Sequence, residues 1–547
     1  MGLFNLTKTY TGNTVPKANK WLFPLMGLFR DAFTILVSSF LLQYAISSGV
    51  LSADPETFKA QYGVITIAMI IALIWDGLND PIMGILVEKF KFKLGKFKPW
   101  LLIGAIGDIV ATLCLFLIRP TMVVDGVAVA NGWGFVGLMI GFYFLWDLFF
   151  TMNDIGYWAM LPSLTNNEQE RTKLTTKVAL WSSAGGFLMT ASCFLLPTMF
   201  SGLSSANIYA LLAIVSAILF LISQLSIVLF CKEHKRVNEL AEEKTSIKDL
   251  FVVFAKNKPA RTSIIALFIY HLTISAITGG ILLNYFYLSI GYGGGRGGLV
   301  STIMSIMYVL ATIVAQIVYP KLSKKLSKQK ILTIATIIQL IGFAGFGICC
   351  LPLFGNTPIA HSAAVLPEMS SFDLGWAFSG TMSLYYILSL IFFFGFGLTY
   401  TVLLIMLQNS IDYNEYKFKD RKEAVISAWR PFTVKLSSAA LKGVQFLIFL
   451  CAGLLSAING ISTAEAAHNA AVQGQPVTWV DTDFINTINS IQASVTVEQL
   501  RIAGIMLLAV LAVSTIATWI LIHFGYKLSE KEHAKIVQSL EDRRPKE

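Results

Sequence analysis

The sequence predicts an all-α membrane protein with twelve transmembrane helices in two six-helix halves and both termini in the cytoplasm. Three observations support this fold class. The 547 residues are 55% hydrophobic and only 14% charged, a composition typical of polytopic membrane proteins and not of soluble enzymes. The apolar residues form twelve runs of about 20 residues or more, the length that crosses a bilayer. The basic residues collect in alternate turns between these runs.

The twelve predicted helices follow the apolar runs in chain order. The first is an uncleaved helix and not a signal peptide, because no small-residue cleavage site follows it and Asp31 lies within it. The six cysteines lie in or beside the runs without metal-ligand spacing, so we expect buried thiols and no disulfide framework. The helices are predicted near residues 21–47, 60–88, 99–118, 133–161, 177–199, 207–231, 262–290, 298–319, 331–353, 375–406, 424–457 and 501–525.

The basic turns follow the even-numbered helices, which places those turns and both termini in the cytoplasm. This distribution also accounts for the net charge of +10, because short basic turns face anionic headgroups. Nucleic-acid binding is therefore not expected. The basic turns are the lysine cluster of 89–98, the segments 171–177, 232–261, 321–330 and 417–422, and the C-terminal tail.

The longest charged interruption divides the apolar runs six and six. It predicts an N-terminal half at 1–231 that carries a cation site, a cytoplasmic linker at 232–261, and a C-terminal half at 262–547. This is the layout of the major facilitator fold. Within the linker, 246–255 is amphipathic and is predicted to lie along the membrane surface. A long outer loop near 456–499 is polar and poor in charge, and its sequence indicates no function.

Charged residues inside the apolar runs are predicted to lie at one depth. Counted from the cytoplasmic side, they lie roughly 12–18 Å into a core about 30 Å thick. They are Asp31, Asp76, Asp80 and Asp154 in the first half and Lys435 in the second. One lysine cannot neutralise four carboxylates, so the surplus negative charge indicates a mobile cation. The alternative is that the charges only neutralise one another and hold the helices together.

The strongest candidate for the cation site is in helix two. Asp76 and Asp80 are four residues apart, one helical turn, and therefore share a face. With the Asn79 amide and the Thr151 hydroxyl they offer oxygen ligands suited to Na⁺, or a shared proton. Asp76 and Asp80 are the predicted metal ligands.

Aromatic rings beside hydrogen-bonding groups suggest sugar binding. A ring can stack on the apolar face of a pyranose while carboxylates accept hydrogen bonds from its hydroxyls. Trp158 follows Asp154 by one helical turn and shares its face, whereas Tyr44 and Tyr400 lie in helices one and ten. For a single aromatic residue, ordinary packing is the alternative interpretation.

Four segments resemble the glycoside-pentoside-hexuronide:cation symporter family, the family of melibiose permease within the major facilitator superfamily. They are Ile-Trp-Asp-Gly-Leu-Asn-Asp-Pro-Ile-Met-Gly at 74–84, and residues 94–100, 152–158 and 412–417. The resemblance spans nearly the whole chain. It implies a cation site at Asp76, Asn79, Asp80 and Thr151, a sugar site at Arg30, Asp31, Asp154, Trp158, Ser183 and Tyr400, and a link between the two at Lys435.

Two departures from this family bear on substrate identity. The sugar-binding arginine of helix five corresponds here to Ala179, with Lys177 on another face. Melibiose permease has a threonine one turn before the lysine that corresponds to Lys435. At the position of that threonine this chain has Pro431, which follows Arg430. One hypothesis is that Arg430 replaces the missing arginine, and another is that it binds a carboxylate on a uronide. The alternative is an arginine that snorkels near the cytoplasmic mouth.

The leading functional prediction is a secondary active transporter and not an enzyme. It carries a sugar with Na⁺ or H⁺, or Li⁺, across a bacterial plasma membrane by alternating access, and needs no cofactor beyond the coupling ion. The expected partners are a small sugar, a monovalent cation and the bilayer. A cytoplasmic phosphotransferase-system regulator is left open, although the short tail leaves no room for the regulatory domain of some relatives.

Three other functions can be weighed against the sequence. The alternative within the same fold is a cation-coupled lysolipid carrier. An intramembrane prenyltransferase could hold Mg²⁺ on Asp-x-x-x-Asp, but the other half offers only Asp412, predicted in a turn. ATP-driven transport is disfavoured because no Gly-x-x-x-x-Gly-Lys-Ser/Thr loop occurs.

Overall fold

The chain forms two compact units in a computed structural model. One unit comprises Met1–Glu243 with Leu455–Ser494, and the other comprises Lys244–Leu454 with Val495–Glu547. The structure describes all residues except 1–9, 11–13, 90–96, 125, 166–167, 200–202, 234–246, 279, 293–295, 351–372, 421, 475–479 and 544–547. Most of the lysine cluster of 89–98 lies outside the described residues.

The first unit contains eight helices and one β-hairpin within its described part. A π-helical turn, Ala18–Leu22, leads into the first helix. The two strands pair antiparallel, and Gly126 takes a positive φ in the turn between them. The elements are α1 (Phe23–Ser47), α2 (Pro55–Lys89), α3 (Lys98–Leu117), β1 (Thr121–Val124), β2 (Val127–Ala130), α4 (Gly132–Ser163), α5 (Glu168–Met199), α6 (Ser205–Phe230), α15 (Leu455–Gly474) and α16 (Val480–Ser494).

Close helix crossings hold the site-bearing helices of this unit together. α1 packs against α5 and α6, and α3 packs against α4 and α6. A glycine allows the first crossing, because a Cβ at Gly185 would overlap the backbone of Leu28. Phe23 stacks on Tyr157 at 4.6 Å and joins α1 to α4. These contacts bring the N-terminal part of α1, with Arg30, next to the C-terminal part of α4, with Asp154.

The outer loop predicted at 456–499 contains two helices, α15 and α16. α15 packs on α1, α2 and α6 of the first unit. The Glu465 carboxylate accepts a hydrogen bond from the Ser205 amide at 3.0 Å, and the Asn459 amide donates to the Ala53 carbonyl at 2.9 Å. The buried residues of α15 include polar ones, Asn459, Ser462 and Glu465, beside Ile458 and Ile461. The helices were not predicted because the search for apolar runs does not detect half-polar helices.

The second unit contains ten helices within its described part. The α7 helix lies in the predicted linker segment and packs against α8 and α14, and its position along the membrane surface stays a prediction. The elements are α7 (Ile247–Lys256), α8 (Lys258–Thr278), α9 (Gly280–Ser289), α10 (Arg296–Leu322), α11 (Lys328–Cys350), α12 (Leu374–Ala377), α13 (Gly380–Phe418), α14 (Glu423–Cys451), α17 (Val497–Gly525) and α18 (Glu530–Arg543).

The tenth predicted helix is longer than its apolar run. It was predicted to end near residue 406, whereas α13 continues to Phe418. The prediction that Asp412 lies in a turn is therefore wrong, because this residue is helical and its carboxylate contacts the His533 ring at 3.0 Å. The length of an apolar run indicates where the chain crosses the membrane. The helix itself can continue beyond the run with polar residues.

Eleven helical stretches in the described part of the chain are long and apolar enough to cross a membrane. Each corresponds to one of the predicted helices. α11, at the position of the ninth predicted helix, is not among the eleven. The chain is thus a multi-pass membrane protein, while the count of twelve and the cytoplasmic termini stay predictions.

Candidate functional site

Arg30 is the centre of a charged cluster inside the first unit. Its side chain is only 3% exposed. Nη1 donates to Asp31 Oδ1 at 2.6 Å, Nη2 donates to Asp154 Oδ1, and Nε donates to Asn153 Oδ1 at 3.2 Å. A guanidinium suits this position because its planar fork can donate in several directions at once. The structure therefore brings together three predicted sugar-site residues, Arg30, Asp31 and Asp154.

Two buried amides, neither of them predicted, support the Arg30 cluster. Asn153 Nδ2 donates to the Leu101 carbonyl at 2.9 Å and to Gln224 Oε1 at 3.1 Å. Its oxygen is thereby turned toward Arg30 Nε. Asn153 adjoins the predicted Asp154 in the sequence, but Gln224 is on α6 and had no local sequence signal. The amide network fixes the position of the guanidinium between α1, α3, α4 and α6.

Aromatic rings cover one side of the Arg30 cluster. The guanidinium lies 4.7 Å from the centre of the Tyr157 ring, a cation–π contact. Trp158 packs edge-on against Tyr157 at 5.6 Å and is 39% exposed. The Trp158 ring is therefore partly accessible, and its predicted stacking on a sugar beside Asp154 stays a prediction. Tyr44 is fully buried among Phe116, Phe135 and Tyr209, where it serves packing.

Two neighbouring serines of α5 differ in their exposure. Ser182 is buried and lies beside Asp31. Ser183, the residue predicted from the family resemblance, is exposed and forms no hydrogen bond with the described residues. The Lys177 ammonium group lies 3.6 Å from the centre of the Trp21 ring, in a cation–π contact.

The predicted cation-site residues lie on α2 and α4. Thr151 Oγ1 is 3.0 Å from Asp76 Oδ1 and 3.0 Å from the Asp147 carbonyl, and can donate to either. Asp76, Asn79 and Thr151 are all buried, and Asn79 Nδ2 has no hydrogen-bond partner in the described part of the chain. The side chain of Asp80 lies outside the described residues. Three of the four predicted residues thus line the buried facing sides of the two helices.

Two further buried carboxylates belong to this region and were not predicted. Asp147 lies one turn before Thr151 on α4, and Asp108 lies on α3. Asp108 Oδ1 has no hydrogen-bond partner among the described residues. Both aspartates interrupt apolar runs, the same signal that identified the other four. The described part of the first unit therefore contains two buried carboxylates in addition to the predicted ones.

The second unit holds the remaining predicted site residues. Arg430 Nε donates to the Tyr400 hydroxyl at 3.0 Å, which joins α14 to α13. Lys435 is half-buried on α14. Its predicted link to the carboxylates of the first unit stays a prediction. Among the described residues, no group of three or more His, Cys, Asp or Glu could hold a metal ion.

Comparisons with known proteins agree with this architecture. The sequence pattern of the family described as MFS/sugar transport protein matches residues 31–479. The chain is 25% identical over 442 residues to a lactose permease of Leuconostoc lactis, covering 79% of this chain and 62% of the permease. It is 23% identical over 453 residues to a raffinose carrier protein of Pediococcus pentosaceus, covering 82% of this chain and 63% of the carrier. The chain thus spans less than two thirds of the length of these two relatives.

A solved structure shows the same fold. The crystal structure of a D-xylose-proton symporter aligns with 88% of this chain and 98% of its own, with a TM-score of 0.54 and 11% identity. At this level of identity the likeness concerns the fold alone.

Proposed function

This chain belongs to the MFS/sugar transport protein family, and on that premise we propose that it is a cation-coupled sugar transporter. The proposed substrate is a glycoside, pentoside or hexuronide, and the coupling ion is Na⁺ or H⁺. The transporter works by alternating access across the cell membrane and catalyses no chemical reaction. The names of the lactose and raffinose relatives support a sugar as the substrate.

The buried carboxylates of the first unit are the observation that carries this proposal. Asp76 contacts Thr151, Asp147 and Asp108 are buried in the same unit, and Asp31 and Asp154 share the Arg30 guanidinium. Anionic groups in hydrocarbon are costly unless a cation or proton joins them. Entry of Na⁺ or H⁺ would lower that cost and give cation and sugar binding a physical reason to be coupled.

The membrane potential supplies enough energy for this coupling. One charge that moves inward gains about 2.3 kcal/mol per 100 mV. Since about 1.4 kcal/mol corresponds to a tenfold ratio, this gain allows roughly 40-fold accumulation of a neutral sugar.

Uptake of radiolabelled glycosides into membrane vesicles tests the proposal. Gradients of Na⁺, Li⁺ and H⁺ are compared in the parent chain and in the Asp76→Asn and Asp80→Cys variants. Asp54→Asn is the matched control, because Asp54 precedes the same helix but is exposed, and its carboxylate accepts hydrogen bonds from Thr57 in the first turn of α2. We expect one cation to stimulate uptake in the parent and in Asp54→Asn but not in Asp76→Asn.

Three results would contradict this proposal in distinct ways. Uptake that responds to no gradient would indicate a facilitator. Cation-stimulated uptake that survives both Asp76→Asn and Asp80→Cys would exclude the proposed cation site. Uptake of a lysolipid with no uptake of any sugar would establish the lipid-carrier alternative.

A further inference from the structure

A cluster of aromatic and polar side chains in the second unit contains a histidine that was not predicted. The Tyr270 ring, on α8, stacks on the Phe396 ring at 4.0 Å and on the Tyr400 ring at 5.4 Å. The His271 ring packs edge-on against Tyr400 at 5.9 Å. Arg430 reaches the same tyrosine through its Nε atom. Helices α8, α13 and α14 therefore bring His271, Tyr400 and Arg430 together.

Arg430 is held in this cluster with most of its guanidinium unused. Its only side-chain hydrogen bond within the described residues is the one from Nε to Tyr400, and no described carboxylate forms an ion pair with it. The Arg430 side chain is exposed, so the remaining donors of its guanidinium are accessible. An arginine that snorkels to the membrane surface extends away from the middle of the bilayer. The bond to Tyr400 instead keeps the two terminal NH₂ groups beside the aromatic cluster.

His271 has a polar atom without a partner. The residue is only 7% exposed, and Nε2 forms no hydrogen bond with the described part of the chain. Buried polar atoms are nearly always hydrogen-bonded, so such an atom needs a reason. The His271 ring and the Arg430 guanidinium both contact the Tyr400 side chain, so the two groups are close to each other. A ligand that reaches Arg430 at Tyr400 can therefore also reach His271.

The three side chains favour a ligand that accepts hydrogen bonds. Arginine has donors only, and the Tyr400 oxygen already accepts from Arg430, which leaves its own hydrogen free to donate. An imidazole can present an N–H at Nε2. A cation surrounded by further donors is the arrangement that binds a carboxylate, and arginine can do so with two parallel bonds.

We propose that His271, Tyr400 and Arg430 form a subsite for the carboxylate of an acidic sugar, with His271 as the residue that selects it. This inference rests on the proposed function, because it names the substrate class of a sugar transporter. The neutral counterpart of such a sugar carries a hydroxymethyl group in place of the carboxylate. A hydroxymethyl group leaves Arg430 without a counter-charge and His271 without a strong acceptor, so it binds more weakly.

Binding of matched sugar pairs to the purified full-length protein tests the subsite. The pairs are methyl β-D-glucuronide with methyl β-D-glucoside, and methyl β-D-galacturonide with methyl β-D-galactoside, each differing only at C6. Affinities are measured by ligand-induced shifts in melting temperature, and uptake of the same sugars is measured in vesicles. The parent protein is expected to bind the acidic member of at least one pair about tenfold or more tightly, the size expected for a hydrogen bond to a charged group.

Variants of the three residues separate binding from folding. His271→Phe keeps a ring but removes both nitrogens, and Arg430→Gln removes the charge; each is expected to abolish the preference for the acidic sugar. His271→Gln keeps a donor and is expected to retain part of the preference. His523→Phe is the control, since this exposed histidine of α17 stacks on Trp519 in the same unit. If His271→Phe does not fold, the preference for the acidic sugar is measured in Tyr400→Phe and Arg430→Gln instead.

The ratio of affinities within a pair distinguishes the outcomes, because a purely structural role changes both members equally. Loss of the acidic preference in His271→Phe but not in His523→Phe supports the subsite. A parent protein that binds both members equally, or prefers the neutral one, overturns the subsite and leaves the sugar transporter standing. Failure to bind or transport any sugar overturns the proposed function and the subsite with it.

Discussion

The double contact of Arg30 with Asp31 and Asp154 predicts a measurable coupling energy. Arg30 is 3% exposed, while Asp31 and Asp154 are 27% and 31% exposed. Two unit charges about 4 Å apart attract by about 4 kcal/mol at an effective dielectric constant of 20. Removing one partner of a fully buried pair costs about 3–5 kcal/mol, whereas a surface pair contributes about 0–1 kcal/mol. Because the carboxylates are partly exposed, we expect about 2 kcal/mol for the coupling of Arg30 with Asp154.

A double-mutant cycle measures this coupling. Arg30→Gln, Asp154→Asn and the double variant are unfolded in mixed micelles by increasing the fraction of a denaturing detergent, with tryptophan fluorescence as the readout. Arg30→Gln is expected to be the most destabilising single change, by about 3 kcal/mol, because it leaves two carboxylates facing each other without their cation. The double variant is expected to be more stable than the sum of the single changes by about 2 kcal/mol.

A second pair of the same charge type controls for surface electrostatics. Lys20 contacts Glu170 at 3.0 Å, with side-chain exposures of 37% and 25%, and Glu170 also contacts Lys173. The Lys20→Gln and Glu170→Gln cycle is expected to yield no more than about 1 kcal/mol. If the Arg30 and Asp154 changes add within about 0.5 kcal/mol, the two side chains are not coupled and the assignment of Arg30 as the centre of the cluster is refuted.

Two further predictions concern packing in the first unit. Gly185→Ala places a methyl group against the Leu28 backbone, whereas at Gly186 the nearest atom to a new Cβ is Ile35 Cγ1 at 3.4 Å. Thermal melting in detergent should therefore show a loss of about 1–3 kcal/mol or more for Gly185→Ala and little change for Gly186→Ala; equal effects would refute the close crossing of α1 and α5. Glu465→Ala removes the acceptor of the Ser205 amide and is expected to cost about 1–3 kcal/mol, with faster hydrogen exchange in α15 by mass spectrometry. Glu465→Gln keeps an acceptor oxygen and should rescue α15, and the exposed Glu498→Ala serves as control; unchanged exchange in Glu465→Ala would show that this bond does not anchor the helix.

The sequence alone was sufficient for the membrane character of the chain and for most of its helices. An apolar run of about 20 residues can satisfy its backbone hydrogen bonds in a bilayer only as a helix, or in a closed barrel, so the run length predicts the element directly. Because burying a charge in hydrocarbon costs free energy, single charged residues within the apolar runs indicated the position of the site. Asp31, Asp76 and Asp154 were predicted because a carboxylate in hydrocarbon requires a partner, and Arg30 was predicted from the family resemblance.

The tertiary structure decided which of these side chains meet. Arg30 and Asp154 are 124 residues apart, and their contact depends on how the helices of the first unit pack, which no local pattern encodes. Gln224 and His271 gave no local signal, because one polar residue in an apolar helix has many interpretations until its neighbours are known. The helices of 455–494 were missed for a related reason. Their burial depends on the surface of α1, α2 and α6 against which α15 packs, and hydropathy along one segment carries no information about the surface that covers it.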